Sequence, residues 1–182
     1  MPQARIIIIS GAPGSGKSTI TRLLAEHLSN KRTVLIRIDD FYSYICKGYI
    51  EPWLPESNDQ NIAVAEAMVA VAKSFVTSGY DVFIDGVIGP WLISPWIKIS
   101  SDGSDVHYVV LRPSLEVTTS RGVSRKGIDD LINPMVIKEM WNAFSDLGSY
   151  ESHILDTTFQ TAEESAELIK DILEKGFYRL LR

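Results

Sequence analysis

The sequence predicts an α/β protein, a three-layer α/β/α arrangement with a five-stranded parallel sheet at its centre. Three observations lead there. Strand-like apolar runs alternate with helical patterns along the chain, the signature of βα units. The middle runs carry apolar residues on both faces, as strands covered by helices on two sides should. The first run, Arg5-Ile6-Ile7-Ile8-Ile9-Ser10, leads directly into Gly11-Ala12-Pro13-Gly14-Ser15-Gly16-Lys17-Ser18, a complete G-x-x-x-x-G-K-[ST] phosphate-binding loop.

The elements run in order along the chain. Ile6–Ser10 is the first strand. A helix over Lys17–Ser29 comes next, with Ile20, Leu23, Leu24 and Leu28 on one face. Thr33–Ile38 is the second strand and ends in the acids Asp39-Asp40. Residues 39–60 are dense in aromatics and precede a long helix, Asn58–Ser78. Asp81–Asp85 is the third strand, ending in Asp85-Gly86, with Trp91 and Trp96 soon after. Val106–Leu111 is the fourth strand and runs into Arg112-Pro113. Helices over Ser114–Arg121 and Pro134–Leu147 flank a Gly-bracketed basic segment. His153–Asp156 is the fifth strand and Ala162–Lys175 the last helix. Phe177-Tyr178-Arg179-Leu180-Leu181 is apolar enough to pack back on the body as a short extra strand.

The chain has 182 residues, which suits a single domain over 1–182 with a full core. The apolar run Ile6 to Ile9 is too short to cross a bilayer, and no signal segment is readable. One cysteine, Cys46, excludes an intrachain disulfide. A reducing cytoplasm is therefore the expected location, and Cys46 reads as a small side chain packed in the region around it. A net charge of −5 argues against a surface that coats duplex nucleic acid.

In parallel sheets ligands bind at the carboxyl ends of the strands, and these ends carry chemistry here. Gly11, Gly14 and Gly16 let the chain turn so that backbone N–H groups, that of Ser15 included, face phosphate oxygens. Lys17 can reach the β- and γ-phosphates, the Ser18 hydroxyl can ligate Mg²⁺, and Thr19 offers a further hydroxyl. Asp39 ends a strand where a carboxylate could orient an acceptor hydroxyl and take its proton. Asp40 points elsewhere and reads as a cap. Asp85 has the position of a metal carboxylate, either direct or through water. Arg121 and Arg125, four apart and bracketed by Gly122 and Gly127, suit a mobile lid over 119–132 that neutralises charge on a transferring phosphoryl group. Arg112 either contacts a ligand or pairs with an acid. His27, His107 and His153 lack zinc-type spacing and carry no site role.

The acceptor lobe is expected over 39–60 and 86–104. Phe41, Tyr42, Tyr44, Tyr49 and Trp53, with Trp91 and Trp96, suit a grip on a ring or sugar, or alternatively a small satellite core. Residues 39–60 carry Asp39, Asp40, Glu51, Glu56 and Asp59 against Lys47 alone, which favours an uncharged or cationic acceptor.

These motifs together resemble the small-molecule kinases of the phosphate-loop superfamily, in the group of chloramphenicol phosphotransferase. Gly11–Ser18 matches the loop, and Asp39-Asp40-Phe41 matches an Asp-x-Phe shared with uridine kinases and zeta toxins. Asp85-Gly86 matches the acid ending the third strand, and Arg121 and Arg125 match the lid arginines. Leu155-Asp156-Thr157-Thr158 matches a late Asp-Thr-Thr segment near the nucleotide base. The resemblance implies a sheet of order 2-3-1-4-5 and ATP- and Mg²⁺-dependent transfer to a hydroxyl, with Asp39 as base. Glu51-Pro52-Trp53-Leu54-Pro55 and Gly89-Pro90-Trp91 match no feature of the family's antibiotic-binding lobe.

The leading expectation is thus an ATP-dependent phosphotransferase acting on a small hydroxyl-bearing molecule. The alternatives are a nucleoside or nucleoside-monophosphate kinase, a polynucleotide 5′-hydroxyl kinase, and an ATP-binding switch without acceptor chemistry. Monomer and homodimer both remain open.

Overall fold

A computed structural model describes residues 4–29, 31–124 and 133–180. Its centre is a five-stranded sheet built from β1 (Arg5–Gly11), β2 (Thr33–Arg37), β3 (Asp81–Asp85), β4 (Asp105–Leu111) and β5 (Ile154–Leu155). The strand order is β2-β3-β1-β4-β5 and every pairing is parallel, as expected. The helices are α1 (Lys17–Leu23), α2 (Ile38–Ser43), α3 (Asn58–Thr77), α4 (Ser94–Ser101), α5 (Leu115–Val123), α6 (Pro134–Ala143) and α7 (Ala162–Glu174).

The alternation of side chains along β1 explains the three layers. Ile6 and Ile8 face one side, where they join Val82, Ile84, Val106, Tyr108 and Val110 beneath Met68 of α3, Trp96 of α4 and Phe144. Ile7 and Ile9 face the other, packing with Phe83, Val109 and Leu111 against Ile20 of α1 and Ile169 and Leu173 of α7. All four isoleucines are fully buried. Burying such a side chain is worth about 1.5–3 kcal/mol, so the strand that delivers the phosphate loop is firmly held.

The chain departs from the expected elements at several places. α2 begins at Ile38, the residue at which the strand was expected to end, and takes Asp39 and Asp40 into its first turn, where the helix dipole favours acids. α4 was not anticipated. Its signals are Pro95 in the first turn and buried Trp96, Ile99 and Ser100 at helical spacing. α1 passes into a π-helical turn, Leu24–Leu28. α6 stops at Ala143, before Leu147, and a 3₁₀ turn, Gly148–His153, fills the stretch up to β5.

β5 pairs only with Val110 and Leu111. The first half of β4 is completed instead by the C-terminal segment, as anticipated. Tyr108 donates its N–H to the Tyr178 carbonyl (2.8 Å), Leu180 donates to Val106 (2.8 Å), and His107 and Arg179 form an antiparallel bridge. Among the described residues no helix is long and apolar enough to cross a membrane.

Candidate active site

Because β1, β2 and β3 are parallel neighbours, their carboxyl ends meet. Ile9 and Arg37 both lie opposite Asp85 in the sheet register. The phosphate loop leaves β1, Asp39 follows β2, and Asp85 closes β3, so three expected functional segments share one edge.

The loop is a tight, buried cradle. Ser15 donates its N–H to the Ala12 carbonyl (3.1 Å), closing the first turn. Gly14 (φ 86°) and Gly16 (φ 95°) take left-handed conformations. Gly16 is also the N-cap of α1 and supplies no side chain to the helix's first turn. The amides there remain directed toward the loop, the arrangement that binds anions. Lys17 is 8 % exposed and its Nζ lies 3.4 Å from the Ala12 carbonyl, so the ammonium folds over its own loop. Ser18 is half-buried and Thr19 exposed beside it.

α5 packs directly on this loop. A Cβ on Gly14 would sit 2.3 Å from the Thr118 carbonyl oxygen, and Gly122 lies close to the same glycine. The contact brings Arg121 to a cavity of about 280 Å³ lined by Gly14, Gly16, Thr19, Arg121, Gln160 and Thr161, among others. The Arg121 guanidinium donates to the carbonyls of Gln160 (3.3 Å) and Thr157 (3.5 Å). Both bonds are long, so the group is only loosely held. The Asp-Thr-Thr segment forms the far wall. Asp156 accepts from the Thr158 amide and hydroxyl, and Thr158 Oγ1 accepts from the Ser114 amide (2.8 Å), tying the wall to the start of α5. Thr157 Oγ1 is buried, with no hydrogen-bond partner among the described residues. Arg125, with most of the expected lid, lies outside the described residues.

Asp85 is 5 % exposed, and among the described residues its Oδ1 has no hydrogen-bond partner. A buried carboxylate oxygen without a donor is costly unless something positive meets it. The donor set, a buried carboxylate and a hydroxyl beside a phosphate cradle, fits Mg²⁺, which takes one or two protein oxygens plus phosphate oxygens. The loop after Asp85 is fixed by residues that sequence reasoning missed. Ser10 Oγ donates to the Ile88 carbonyl (2.8 Å) and accepts from the Ile88 amide (2.9 Å), and Tyr108 OH donates to the same carbonyl (2.6 Å). Burial pushes the Tyr108 phenol well up, so it remains a donor.

Asp39 stands exposed at the start of α2, and its nearest cation is Arg37 Nη2 at 3.9 Å. Asp40, expected to point elsewhere, shares that arginine at 4.0 Å. The carboxylate of Asp39 adds to the upward shift of two phenols, Tyr42 and Tyr49. Each is pushed up to about 12, by burial first, with Glu51 hydrogen-bonded to Tyr49 as a second cause there. Asp39, Tyr42, Tyr49 and Glu51 therefore cluster.

The aromatics divide between core and surface. Trp96 is fully buried, so it belongs to the core and not to an acceptor lobe. Phe41 and Tyr42 are half-buried, whereas Tyr44, Tyr49, Trp53 and Trp91 are exposed, Trp91 lying edge-on to Phe144. The segment bearing the exposed rings is pinned from α3. Gln60 donates to the Ile50 carbonyl (2.6 Å) and accepts from its amide (2.8 Å), while Asn61 donates to the Pro52 carbonyl (2.8 Å) and accepts from Tyr42 OH (2.8 Å). Cys46, expected to be packed, is exposed, with its Sγ 3.5 Å from the Tyr44 carbonyl.

Arg112 has a structural partner. It forms a bidentate pair with Glu151 (3.0 Å each) and donates to the carbonyls of Phe144 and Ser145 at the end of α6. That pairing, with the Leu147 amide, holds the Glu151 carboxyl below its ordinary range.

Comparison with known proteins agrees with this geometry. Residues 7–160 match the family described as an AAA domain. A Thermococcus gammatolerans protein, named provisionally as an adenylate kinase, is 29 % identical over 176 residues, covering 94 % of this chain and 86 % of its own. A cytidylate kinase of Sulfolobus acidocaldarius is 27 % identical, covering 93 % and 94 %. Among solved structures, the Mycobacterium tuberculosis APS kinase in complex with AMPPNP and APS superposes with a TM-score of 0.71 at 18 % identity, covering 96 % and 99 %, which shows a shared fold.

Proposed function

The chain belongs to the AAA-domain family, in its phosphate-loop kinase fold, and from that premise we propose that it is an ATP- and Mg²⁺-dependent kinase moving the γ-phosphate to a hydroxyl of a small molecule. The observation that carries this reading is the shared edge of β1, β2 and β3. An exposed carboxylate (Asp39) and a buried one with a bare oxygen (Asp85) flank the phosphate loop there. A switch protein would share the metal carboxylate but would not need the exposed one.

In this reading 1–182 acts as one kinase domain, with an acceptor lobe over 39–60 and 86–104 and a lid over 119–132. The amides of Gly11–Thr19 and the Lys17 ammonium hold the triphosphate. Ser18 and Asp85 would hold Mg²⁺, which would neutralise phosphate charge when bound. Asp39 orients the acceptor hydroxyl and takes its proton as the oxygen attacks the γ-phosphorus. Arg121 and Arg125 bear on the nucleotide and on the transferring group, and Arg121 with Gln160 and Thr161 supports a base pocket for ATP. Exposed Tyr44, Tyr49, Trp53 and Trp91 offer apolar faces to a ring, and Asp40 and Glu51 favour a neutral or cationic acceptor over an anionic one.

The names of the relatives favour a second reading, a nucleoside-monophosphate kinase. One experiment addresses both: γ-phosphate transfer from labelled ATP to nucleosides, nucleoside monophosphates, sugars and amino sugars, with Asp39→Asn beside the wild type. Asp39 is exposed, and among the described residues its ion pair is with Arg37 at 3.9 Å, so its loss leaves the fold and ATP binding intact. Transfer falls by about 10²–10⁴-fold, the scale of general-base catalysis. Equal turnover by wild type and Asp39→Asn would remove Asp39 from the mechanism. Transfer confined to monophosphates would establish the second reading.

A further inference from the structure

The outer face of α3 carries charge in a self-complementary order. The helix has 20 residues, so it is about 30 Å long. Its inner face, Val64, Ala65, Met68 and Ala72, is buried in the core. Its outer face carries Ala63, Ala67 and Ala70, all exposed, with Ile62 and Val71 at its two opposite edges, each more than a third exposed. The charges on that face are Asp59, Glu66 and Lys73, at heptad spacing, so they fall on one stripe. Glu66 and Lys73 are about 10 Å apart along the axis, too far to pair within one helix. Among the described residues neither has an ion-pair partner. Arg32 extends the basic end, with its guanidinium 4.3 Å from the Tyr80 ring centroid and donating to the Ser78 carbonyl. The stripe therefore runs from acid at the N-terminal end of the helix to base at the C-terminal end.

We propose that this face is the interface of a two-fold homodimer, in which α3 packs antiparallel on its copy about an axis crossing between Val69 and Ala70. That axis sets each Glu66 against the partner subunit's Lys73, because the two lie equally far from it. Each contact is made twice, as an isologous interface requires. A parallel pairing would bring acid to acid and base to base. The alanines beside the axis let the two helices approach to about 8 Å, and the approach covers the exposed Ala63, Ala67 and Ala70. The dipole of a lone helix also favours this charge order, but it gives no reason for the apolar side chains around the charges.

Sedimentation equilibrium on the full chain tests the proposal, using wild type, Glu66→Lys, Lys73→Glu and the double exchange. The wild type dimerises. Each single variant places like charges at two sites and weakens the dimer at least about tenfold, and the double exchange restores it to within about threefold of wild type. Both positions are exposed, so the variants keep the monomer fold, and far-UV circular dichroism checks that. A wild type that stays monomeric at high concentration overturns the proposal. So does a dimer indifferent to the single variants, or a double exchange that dissociates as readily as they do.

Discussion

Replacing Gly14 by alanine should destabilise the protein far more than replacing Gly16, although both glycines serve the same loop. Each has a positive φ, 86° and 95°, and an L-residue in that region loses roughly 1–2 kcal/mol. Their surroundings differ. A Cβ on Gly14 would lie 2.3 Å from the Thr118 carbonyl oxygen and 3.0 Å from the Gly122 amide nitrogen, both backbone atoms of α5. Ordinary contact begins at 3.4 Å, so the loop or α5 has to move by about 1 Å, and overpacking of that kind costs about 1–3 kcal/mol. A Cβ on Gly16 would meet only Ile20 Cδ1 at 3.7 Å. Gly16→Ala therefore costs about 1–2 kcal/mol and Gly14→Ala about 2–5 kcal/mol. For a chain of this size each kcal/mol is about 2–4 °C in Tm. Thermal and urea unfolding of the nucleotide-free variants measures the difference, and ATP titration of Gly14→Ala should show weaker binding, because Gly14 and Arg121 line one cavity. Equal losses, or a larger loss at Gly16, would refute the packing of α5 on the loop.

Three further outcomes rest on particular side chains. Asp85→Asn removes a buried charge with an unpartnered oxygen, so the nucleotide-free protein gains stability while the Mg²⁺ concentration needed for half-maximal transfer rises about tenfold or more; an unchanged Mg²⁺ requirement would separate Asp85 from the metal. Arg112→Ala breaks the Glu151 pair and two carbonyl contacts, lowering Tm and leaving KM for ATP and acceptor unchanged; a raised KM with intact stability would move Arg112 into the site. Burial lowers the His153 pKa below its ordinary value of 6.5. Below that pH the unfolded chain binds a proton that the folded chain resists, so stability falls as pH drops beneath about 6.5. His153→Gln, which can still donate to the Tyr108 carbonyl, should flatten that acid limb in urea unfolding between pH 7 and 5; an unaltered slope would place its origin at other groups.

The parts of the fold that depend on local pattern were legible in the sequence. The run Ile6–Ile9 could only be a doubly covered strand, and the loop motif dictated the turn and the helix start after it. α2 was not legible because its signal competes with the strand before it. Ile38 continues the apolar run of β2, and only the acids after it, which suit a helix N-terminus, mark the change. α4 hid behind β-branched and aromatic residues that favour strands, against a single proline signal at its start. The packing of Cys46 was misread, and that of Trp96 left open between lobe and core, for a related reason. Composition shows that a segment is rich in rings or holds a thiol, but exposure is set by distant contacts, here the packing of α4 on β4 and the clamping of Ile50 and Pro52 from α3. The tether of Ser10 and Tyr108 to Ile88 spans residues far apart in sequence and has no local signature.

The same division explains why likeness to other proteins speaks to one half of the site and not to the other. The phosphate side is made of backbone amides, buried glycines and strand ends, and its geometry comes from the sheet register. A chain with this strand order and this loop must present it. The proposed acceptor side consists of exposed rings and acids on a segment held by Gln60 and Asn61, outside the buried core. On that proposal, substituting Tyr44, Tyr49 or Trp53 should change the preferred acceptor while leaving the core untouched, so acceptor preference can diverge among chains that superpose closely. The acidic, ring-rich lobe is therefore the better guide to the acceptor than the names of the relatives. Raising the positive charge there, for example with Glu51→Arg, is the direction in which affinity for a phosphorylated acceptor should grow.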